Sequence, residues 1–383
     1  MSQKLNKIYI CSTNLSGKAY LQQLLDSHPQ IFCFPFHKFG FSHLSDTFFN
    51  ILKSDKYPVV KGYFNVNKKY VLSIINQNDN KVYEISFGEL LTFIFNEMDS
   101  IPTVLQIHFT KVAVGYCGDN NKFTASFDFN LYLFVDTFFD KLKNLQSHPL
   151  TIEQLDDHLY SSFVKSVSNY NFHNNPVISK SLLYGSNGSD QIHNLYKYYK
   201  NFKILFMKRD PISISYSNSK RILSKRYPDP DSDKIYDLMV NSSVNINKNI
   251  NKVVKTANEY LVENDNIKII SFEDLIRNTE IIMKEISLFL DIEFNNCLLS
   301  PTLMGDSLGI NDIVDDPYKI YSSTQLRRLS ILYNGNVKFD SFKDKILYLF
   351  DSINLIIKKF RPIFYLINII KKSYIPLKKV EAK

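Results

Sequence analysis

Ile8-Tyr9-Ile10-Cys11-Ser12-Thr13-Asn14-Leu15-Ser16-Gly17-Lys18-Ala19-Tyr20-Leu21-Gln22-Gln23-Leu24-Leu25 changes period partway along. Residues 7–11 form a short apolar run of strand character. A polar stretch with one glycine follows, and then Leu21, Leu24 and Leu25 recur at helical spacing. The helical pattern stops at His28-Pro29, because proline cannot continue it, and residues 31–34 read as a second buried strand. A β-loop-α-β opening predicts a doubly wound sheet. In such a sheet the loop after the first strand lies where backbone N–H groups and the helix dipole can hold a phosphate.

The same rhythm returns further along the chain. Residues 176–179 read as a strand, 189–200 as a helix and 202–207 as an apolar strand, followed at once by Arg209-Asp210-Pro211. Asp210 suits an N-cap and Pro211 the first helical position, so a helix is expected to start there. Residues 266–270 give another strand, Ser271-Phe272-Glu273-Asp274 a turn, and 281–290 an amphipathic helix. Strands alternating with helices imply a parallel sheet flanked by helices. Residues from about 40 to 170 are less regular, with helices expected at 87–98, 129–145 and 152–167, and read as a long helical insertion. The expectation is one domain over 1–350 that carries this insertion, and a separate tail over 351–383.

Composition sets the outer bounds. A chain of 383 residues that is 44% hydrophobic and 14% aromatic can bury a full core. Cys11, Cys33, Cys117 and Cys297 are far apart and form no C-x-x-C pair, which disfavours a zinc cluster and a disulfide framework and fits a reducing compartment. The first residues lack the apolar core of a secretion signal, and no apolar stretch is long enough to span a bilayer, so a cytoplasmic protein starting near residue 1 is expected. The net charge of +8 is concentrated in residues 358–383, which hold eight Lys or Arg and one acid, Glu381. That distribution argues against a general nucleic-acid surface and for a basic segment with a local role.

The loop after the first strand is not a Walker A loop, which would need glycine at Ser12 and a hydroxyl at Ala19. Without that hydroxyl the usual Mg²⁺ ligand is missing, which weakens an ATPase or GTPase reading. An ordinary strand-to-helix turn would also carry a glycine, so the loop alone decides nothing. A second site adds weight: Arg209 stands at the carboxyl end of an expected parallel strand, where open α/β sheets bind ligands, and Ser217 follows two helical turns later.

Together these segments resemble the PAPS-dependent sulfotransferases, where PAPS is 3′-phosphoadenosine 5′-phosphosulfate. Leu15 to Leu21 with Leu25-Asp26-Ser27-His28-Pro29-Gln30-Ile31 is similar to the family's 5′-phosphosulfate loop and the L-L-D-S-H-P run after it. Phe206-Met207-Lys208-Arg209-Asp210-Pro211 with Ser217 resembles its 3′-phosphate motif. Phe272-Glu273-Asp274-Leu275 and Phe289-Leu290-Asp291-Ile292 resemble its Y-E-D-L and F-L-G-L segments. The resemblance covers roughly residues 7–37 and 176–312. It implies a P-loop-NTPase-like three-layer α/β sandwich. Leu15, Ser16, Gly17, Lys18, Ala19 and Tyr20 would then cradle the 5′-phosphosulfate, and Arg209 and Ser217 would hold the 3′-phosphate, with no metal required.

The departures from the family are specific. Its members usually carry a basic residue where Leu15 stands and threonine where Lys18 stands, so Lys18 is read as supplying that charge from a shifted position. Some relatives use a glutamate just after the second strand, where this chain has Phe34-Pro35-Phe36-His37-Lys38, and His37 is the nearest group able to accept a proton near neutral pH. Lys180 matches a family lysine at the end of the strand before the arginine motif, with Ser181 replacing the following residue. His108 is a competing base inside the unmatched insertion. Residues 300–311 resemble a segment that closes over the nucleotide, and Arg327 and Arg328 follow it; a surface turn and a solvated helix face read equally well.

Residues 353–372 carry an apolar stripe (Ile356, Ile357, Phe360, Ile363, Phe364, Ile367, Ile370) edged by basic residues, and Pro362 would kink it. This suits either peripheral contact with an anionic membrane surface or a core-packed terminal helix. The expected acceptor is a hydroxyl on a glycan or glycolipid, with a small alcohol or phenol next. The rival functions are a P-loop nucleotide kinase and a non-catalytic nucleotide- or glycan-binding descendant.

Overall fold

The computed structural model describes residues 6–13, 15–34, 40–42, 44–54, 70–97, 108–117, 121–145, 148–167, 180–187, 189–225, 227, 230–303, 306–307 and 316–334. At 95–97, 108–117, 121–128, 180–187, 244, 262–263, 303, 306–307, 327, 331 and 334 it describes backbone alone. The chain opens with β1 (Asn6–Ser12), α1 (Lys18–Leu25) and β2 (Ile31–Cys33). The insertion holds α2 (Ser45–Ser54), β3 (Val71–Asn76), β4 (Lys81–Ser86), α3 (Phe87–Glu97), β5 (His108–Cys117), β6 (Asn121–Asn130), α4 (Leu131–Lys143) and α5 (Ile152–Ser166). Then come β7 (Lys180–Asn187), α6 (Ser189–Tyr198), β8 (Phe202–Lys208), α7 (Pro211–Ser224), α8 (Ser232–Glu263), β9 (Ile267–Ser271), α9 (Phe272–Arg277) and α10 (Thr279–Leu290). A 3₁₀ turn (Asn296–Leu299), β10 (Thr302–Leu303), β11 (Asp306–Ser307), α11 (Pro317–Ile320) and α12 (Ser323–Asn334) follow among the described residues.

Contacts within the range expected as one domain group into two compact units. The first holds residues 1–210 and 248–315, the second 211–247 and 316–383. The tail from 351 onward lies outside the described residues.

The first unit is built on a parallel sheet in the order β2-β7-β1-β8-β9. Counted within the sheet, the strands run 2-3-1-4-5, the doubly wound parallel arrangement expected from the sequence. β1 lies between β7 and β8, with Ser12 in register with both Asn187 and Met207. Side chains alternate across this strand as the pleat requires. Ile8 and Ile10 join Leu205, Met207 and the α1 leucines in one core, while Tyr9 and Cys11 join Phe32, Ile204 and Phe206 in another. Leu21, Leu24 and Leu25 are fully buried, each worth about 2 kcal/mol of transfer free energy. The turn after α1 is held by His28, whose Nδ1 accepts the Gln30 N–H at 3.2 Å while Nε2–H donates to the Glu293 carbonyl at 2.8 Å.

Helices α3, α4 and α5 occupy the expected stretches, except that Phe129 and Asn130 belong to β6. The insertion adds α2 and two antiparallel hairpins, β3–β4 and β5–β6. Its helices turn Phe48, Phe93, Phe134 and Phe163 into the same core as Tyr9 and Phe32. Expected strand 176–179 lies outside the described residues, and the strand of that region is β7.

The second unit packs α7, the start of α8, α11 and α12 around Ile212, Tyr216, Tyr236, Met239 and Tyr333. Tyr333 donates to the Met239 carbonyl at 2.7 Å and shares a hydrogen bond with the Ser215 hydroxyl.

Candidate active site

β1 delivers its loop to the middle of the sheet's carboxyl edge. Ser12 and Ser16 both donate to the Thr13 carbonyl, at 2.7 and 2.8 Å, folding the loop back on itself. Leu15 and Gly17 both have positive φ, 60° and 88°. Glycine tolerates this, whereas Leu15 is held there at a cost of about 1 kcal/mol. Gly17 is the N-cap of α1, and its carbonyl accepts from Tyr20 and Leu21 while it has no side chain to cap the helix. The first N–H groups of α1 have no carbonyl a turn before them within the helix. That arrangement suits an anion.

The side chains around the loop explain its shape. Arg209, at the carboxyl end of β8 beside β1, donates from Nη1 to the Leu15 carbonyl at 2.8 Å. Its guanidinium lies over the Phe272 ring, 4.7 Å from the centroid. The same ring lies against Gly17, where an added Cβ would land inside it, and meets Tyr20 edge-on at 6.4 Å. Ser271 caps α9 by accepting from Asp274 N–H, and the neighbouring Glu273 accepts the Asp210 N–H at 3.0 Å. The β9–α9 turn therefore holds both the arginine segment and the loop after β1. Nothing local in the sequence announces Phe272 as part of the site: only its Y-E-D-L likeness pointed there, and its partners are distant in the chain.

Lys18 is the first residue of α1 and is only 5% exposed. Burial pulls its ammonium down to about 8, and its charge in turn tempers the Cys11 thiol, which burial pushes up to about 12. Cys11 donates to Gln191 Oε1 at 3.8 Å, and Gln191 donates to Ser42 Oγ at 3.5 Å. The cation thus acts on Cys11 at the end of β1, from which a buried polar chain runs through Gln191 of α6 to Ser42. Ala19 is half-buried, and Tyr20 belongs to the hydrophobic core beneath the loop.

Lys180 is placed differently from expectation. It opens β7 instead of closing a strand, in register with Asn6 and Ile31 at the amino end of the sheet. At about 3.3 Å per residue its Cα stands roughly 20 Å from the edge where Ser12 meets Asn187. Position alone removes it from this site. Ser217 lies half-buried on the second turn of α7, in the second unit. His37 lies outside the described residues. His108 opens β5 in the insertion, and Arg327 and Arg328 stand on α12 in the second unit. Of the 300–311 segment, Thr302 donates to Asp26 Oδ2 at 2.9 Å, tying the short β10–β11 pair to the end of α1.

The family model described as the Sulfotransferase family matches residues 7–296. Among solved structures, the chain is similar to the sulfotransferase domain from the Curacin biosynthetic pathway, at 16% identity and a TM-score of 0.37, covering 88% of this chain and 94% of that one. It is also similar to sulfotransferase STF9 from Mycobacterium avium, at 11% identity and a TM-score of 0.36, covering 88% and 78%. A third likeness is to retinol dehydratase in a complex with retinol and PAP, at 10% identity and a TM-score of 0.34, covering 89% and 84%. No curated protein sequence matches the chain significantly.

Proposed function

The chain belongs to the sulfotransferase family, and from that premise we propose that it carries a sulfuryl group from PAPS to a hydroxyl on a glycan or glycolipid. The observation that supports the nucleotide most directly is the Arg209–Leu15 hydrogen bond. It joins, across adjacent strands, the arginine read as the 3′-phosphate ligand and the loop read as the 5′-phosphosulfate cradle, so both expected anion sites lie at neighbouring strand ends of one sheet edge.

In this reading the N–H groups of Ser16, Gly17, Lys18 and Ala19 hold the 5′ end, with Leu15 and Tyr20 flanking them. Arg209 holds the 3′-phosphate. The acceptor oxygen attacks sulfur in line, the bond from sulfur to the bridging phosphate oxygen breaks, and 3′-phosphoadenosine 5′-phosphate (PAP) leaves. Lys18 neutralises charge growing on that bridging oxygen, and His37 takes the acceptor's proton. Gripping the nucleotide at both ends fixes the sulfuryl group for attack, so positioning provides much of the rate. The aromatic-rich insertion is the segment that would select the acceptor. A cytoplasmic site of action, with the basic tail touching an anionic membrane surface, completes the proposal.

Thermal shift with PAP against ATP and GTP tests the nucleotide, and transfer of ³⁵S from labelled PAPS to a glycan, a glycolipid and a phenol tests the reaction. Stabilisation by PAP together with label on an acceptor supports the proposal. Magnesium-dependent ATP turnover would instead indicate a kinase, and tight PAP binding without transfer a non-catalytic descendant.

A further inference from the structure

The segments that leave β8 and β9 are fastened to each other residue by residue, each time by a different interaction. Lys208 and Ser271 form the last backbone pair of the two strands. One residue on, the Arg209 guanidinium lies over the Phe272 ring, 4.7 Å from its centroid. Two residues on, where backbone pairing has ended, Glu273 spans the gap with its side chain: Oε1 accepts the Asp210 N–H at 3.0 Å. Its other oxygen, Oε2, accepts from the Ser271 hydroxyl at 3.3 Å, and that hydroxyl in turn accepts the Asp274 N–H at 3.2 Å. Both carboxylate oxygens are engaged, one by each segment.

The bond to Asp210 bears on Arg209 through the backbone. The Asp210 N–H and the Arg209 carbonyl belong to one rigid peptide plane. Fixing that plane on one side of Arg209, while β8 fixes the other, sets the direction in which the arginine side chain leaves the strand end. A carboxylate acceptor makes this a strong hydrogen bond. The guanidinium is thereby delivered over Phe272, with Nη1 on the Leu15 carbonyl. Arg209 is only 8% exposed, so it has little freedom to swing back if its backbone turns.

We propose that Glu273 is a positioning residue for the 3′-phosphate: by holding the Arg209–Asp210 peptide it aims the arginine, and so gives the site its preference for nucleotides phosphorylated at the 3′ position. The proposal rests on the sulfotransferase reading, in which Arg209 meets that phosphate. A carboxylate would itself repel a phosphate, so the effect of Glu273 has to pass through Arg209.

The readout is the ratio of affinities for PAP and adenosine 5′-phosphate, which differ by the 3′-phosphate alone, measured by calorimetric titration of the full chain. Glu273→Ala should lower PAP affinity about tenfold and leave adenosine 5′-phosphate within about twofold, so the ratio falls. Glu273→Gln, whose amide oxygen can still accept from Asp210, should keep the ratio within about threefold of wild type. In an Arg209→Ala background, Glu273→Ala should change the ratio no further. Glu273→Asp, one methylene too short to reach Asp210, is the milder companion should the alanine variant fold poorly, and it should move the ratio in the same direction. An unchanged ratio, a parallel loss of both affinities, or a further fall on top of Arg209→Ala would overturn the positioning role. Tighter PAP binding by Glu273→Gln than by wild type would show the carboxylate acting through its charge and would overturn it as well. Wild type that binds the two nucleotides equally would strike the parent reading of Arg209 and the positioning role with it, whereas a wild-type preference that survives in Glu273→Ala strikes the positioning role alone.

Discussion

Arg209 donates to the carbonyl of Leu15 across 2.8 Å, so the residue expected at one end of the nucleotide holds the loop expected at the other. The bond helps hold Leu15 at its positive φ, and the guanidinium also lies over the Phe272 ring.

Arg209→Ala should therefore act twice. It removes the proposed phosphate ligand and releases the loop, so affinity for PAP should fall by about 100-fold and the ligand-free protein should also melt earlier. Arg209→Lys keeps the charge without the planar fork or the stacked face, and should recover only part of the affinity. Calorimetric titration with PAP and thermal melts of both variants check this. Equal affinity for Arg209→Lys and wild type would show that the fork is irrelevant.

Gly17→Ala should be more severe than its size suggests. The new methyl would enter the Phe272 ring in a backbone conformation that L-residues resist. The melting temperature should drop and PAP should no longer raise it. Gly17→Ala combined with Phe272→Ala should regain part of the lost stability, because the second change opens space for the first. Melts with and without PAP across this double-mutant cycle give the answer.

Much of this site could be read from local pattern. β1, β8 and β9 are apolar runs closed by turn or cap residues, and α1 has its leucines at helical spacing. Two things were hidden. The strand at Lys180-Ser181-Leu182-Leu183-Tyr184-Gly185 starts with a charge and ends in small polar residues, so local pattern puts the strand at 176–179, ahead of it, and sets Lys180 at a carboxyl end instead of the amino end it occupies. The packing of Phe272 against Gly17 and of Asp156 against Phe41 joins residues far apart in the chain, and no periodicity encodes such pairs. The hairpin β3–β4 did leave a trace in Asn78-Asp79-Asn80, where Asn80 takes a positive φ, but its strands are short and lie amid helices.

In the proposed site, Lys18 should make nucleotide affinity depend on pH. Its pKa of about 8 in the free protein means the ammonium is charged below that value and neutral above it. A bound phosphosulfate favours the charged form, so binding takes up a proton once pH exceeds about 8. Affinity for PAP should fall as pH rises from 7.5 to 9.5. Lys18→Met should bind PAP more weakly at pH 7 and show little slope over the same range. Titrations at four pH values separate the curves, and equal slopes in the two proteins would remove Lys18 from the phosphate site.

Stability on the acid side should carry two opposing signatures from α5. Burial raises the Asp156 carboxyl to about 7, with Tyr199, Lys7, the Phe41 N–H and Tyr160 pulling the other way; Tyr9, Glu153 and Asp157 also border the cluster. The folded protein then holds a proton there that the unfolded chain releases near pH 4, so this group makes stability fall as pH rises from about 4 to 7. Burial lowers His158 to about 4, helped by Lys141 and Lys7. The unfolded chain protonates it near pH 6.5, so this group makes stability rise with pH over about 4 to 6.5. The two slopes, each about 1.4 kcal/mol per pH unit at most, oppose one another and should leave wild type nearly flat between pH 4.5 and 6.5. Asp156→Asn should unmask a stability that climbs with pH, and His158→Gln one that declines. Urea midpoints at pH 4.5, 5.5, 6.5 and 7.5 measure both, and slopes of the same sign in the two variants would contradict the assignment of either group.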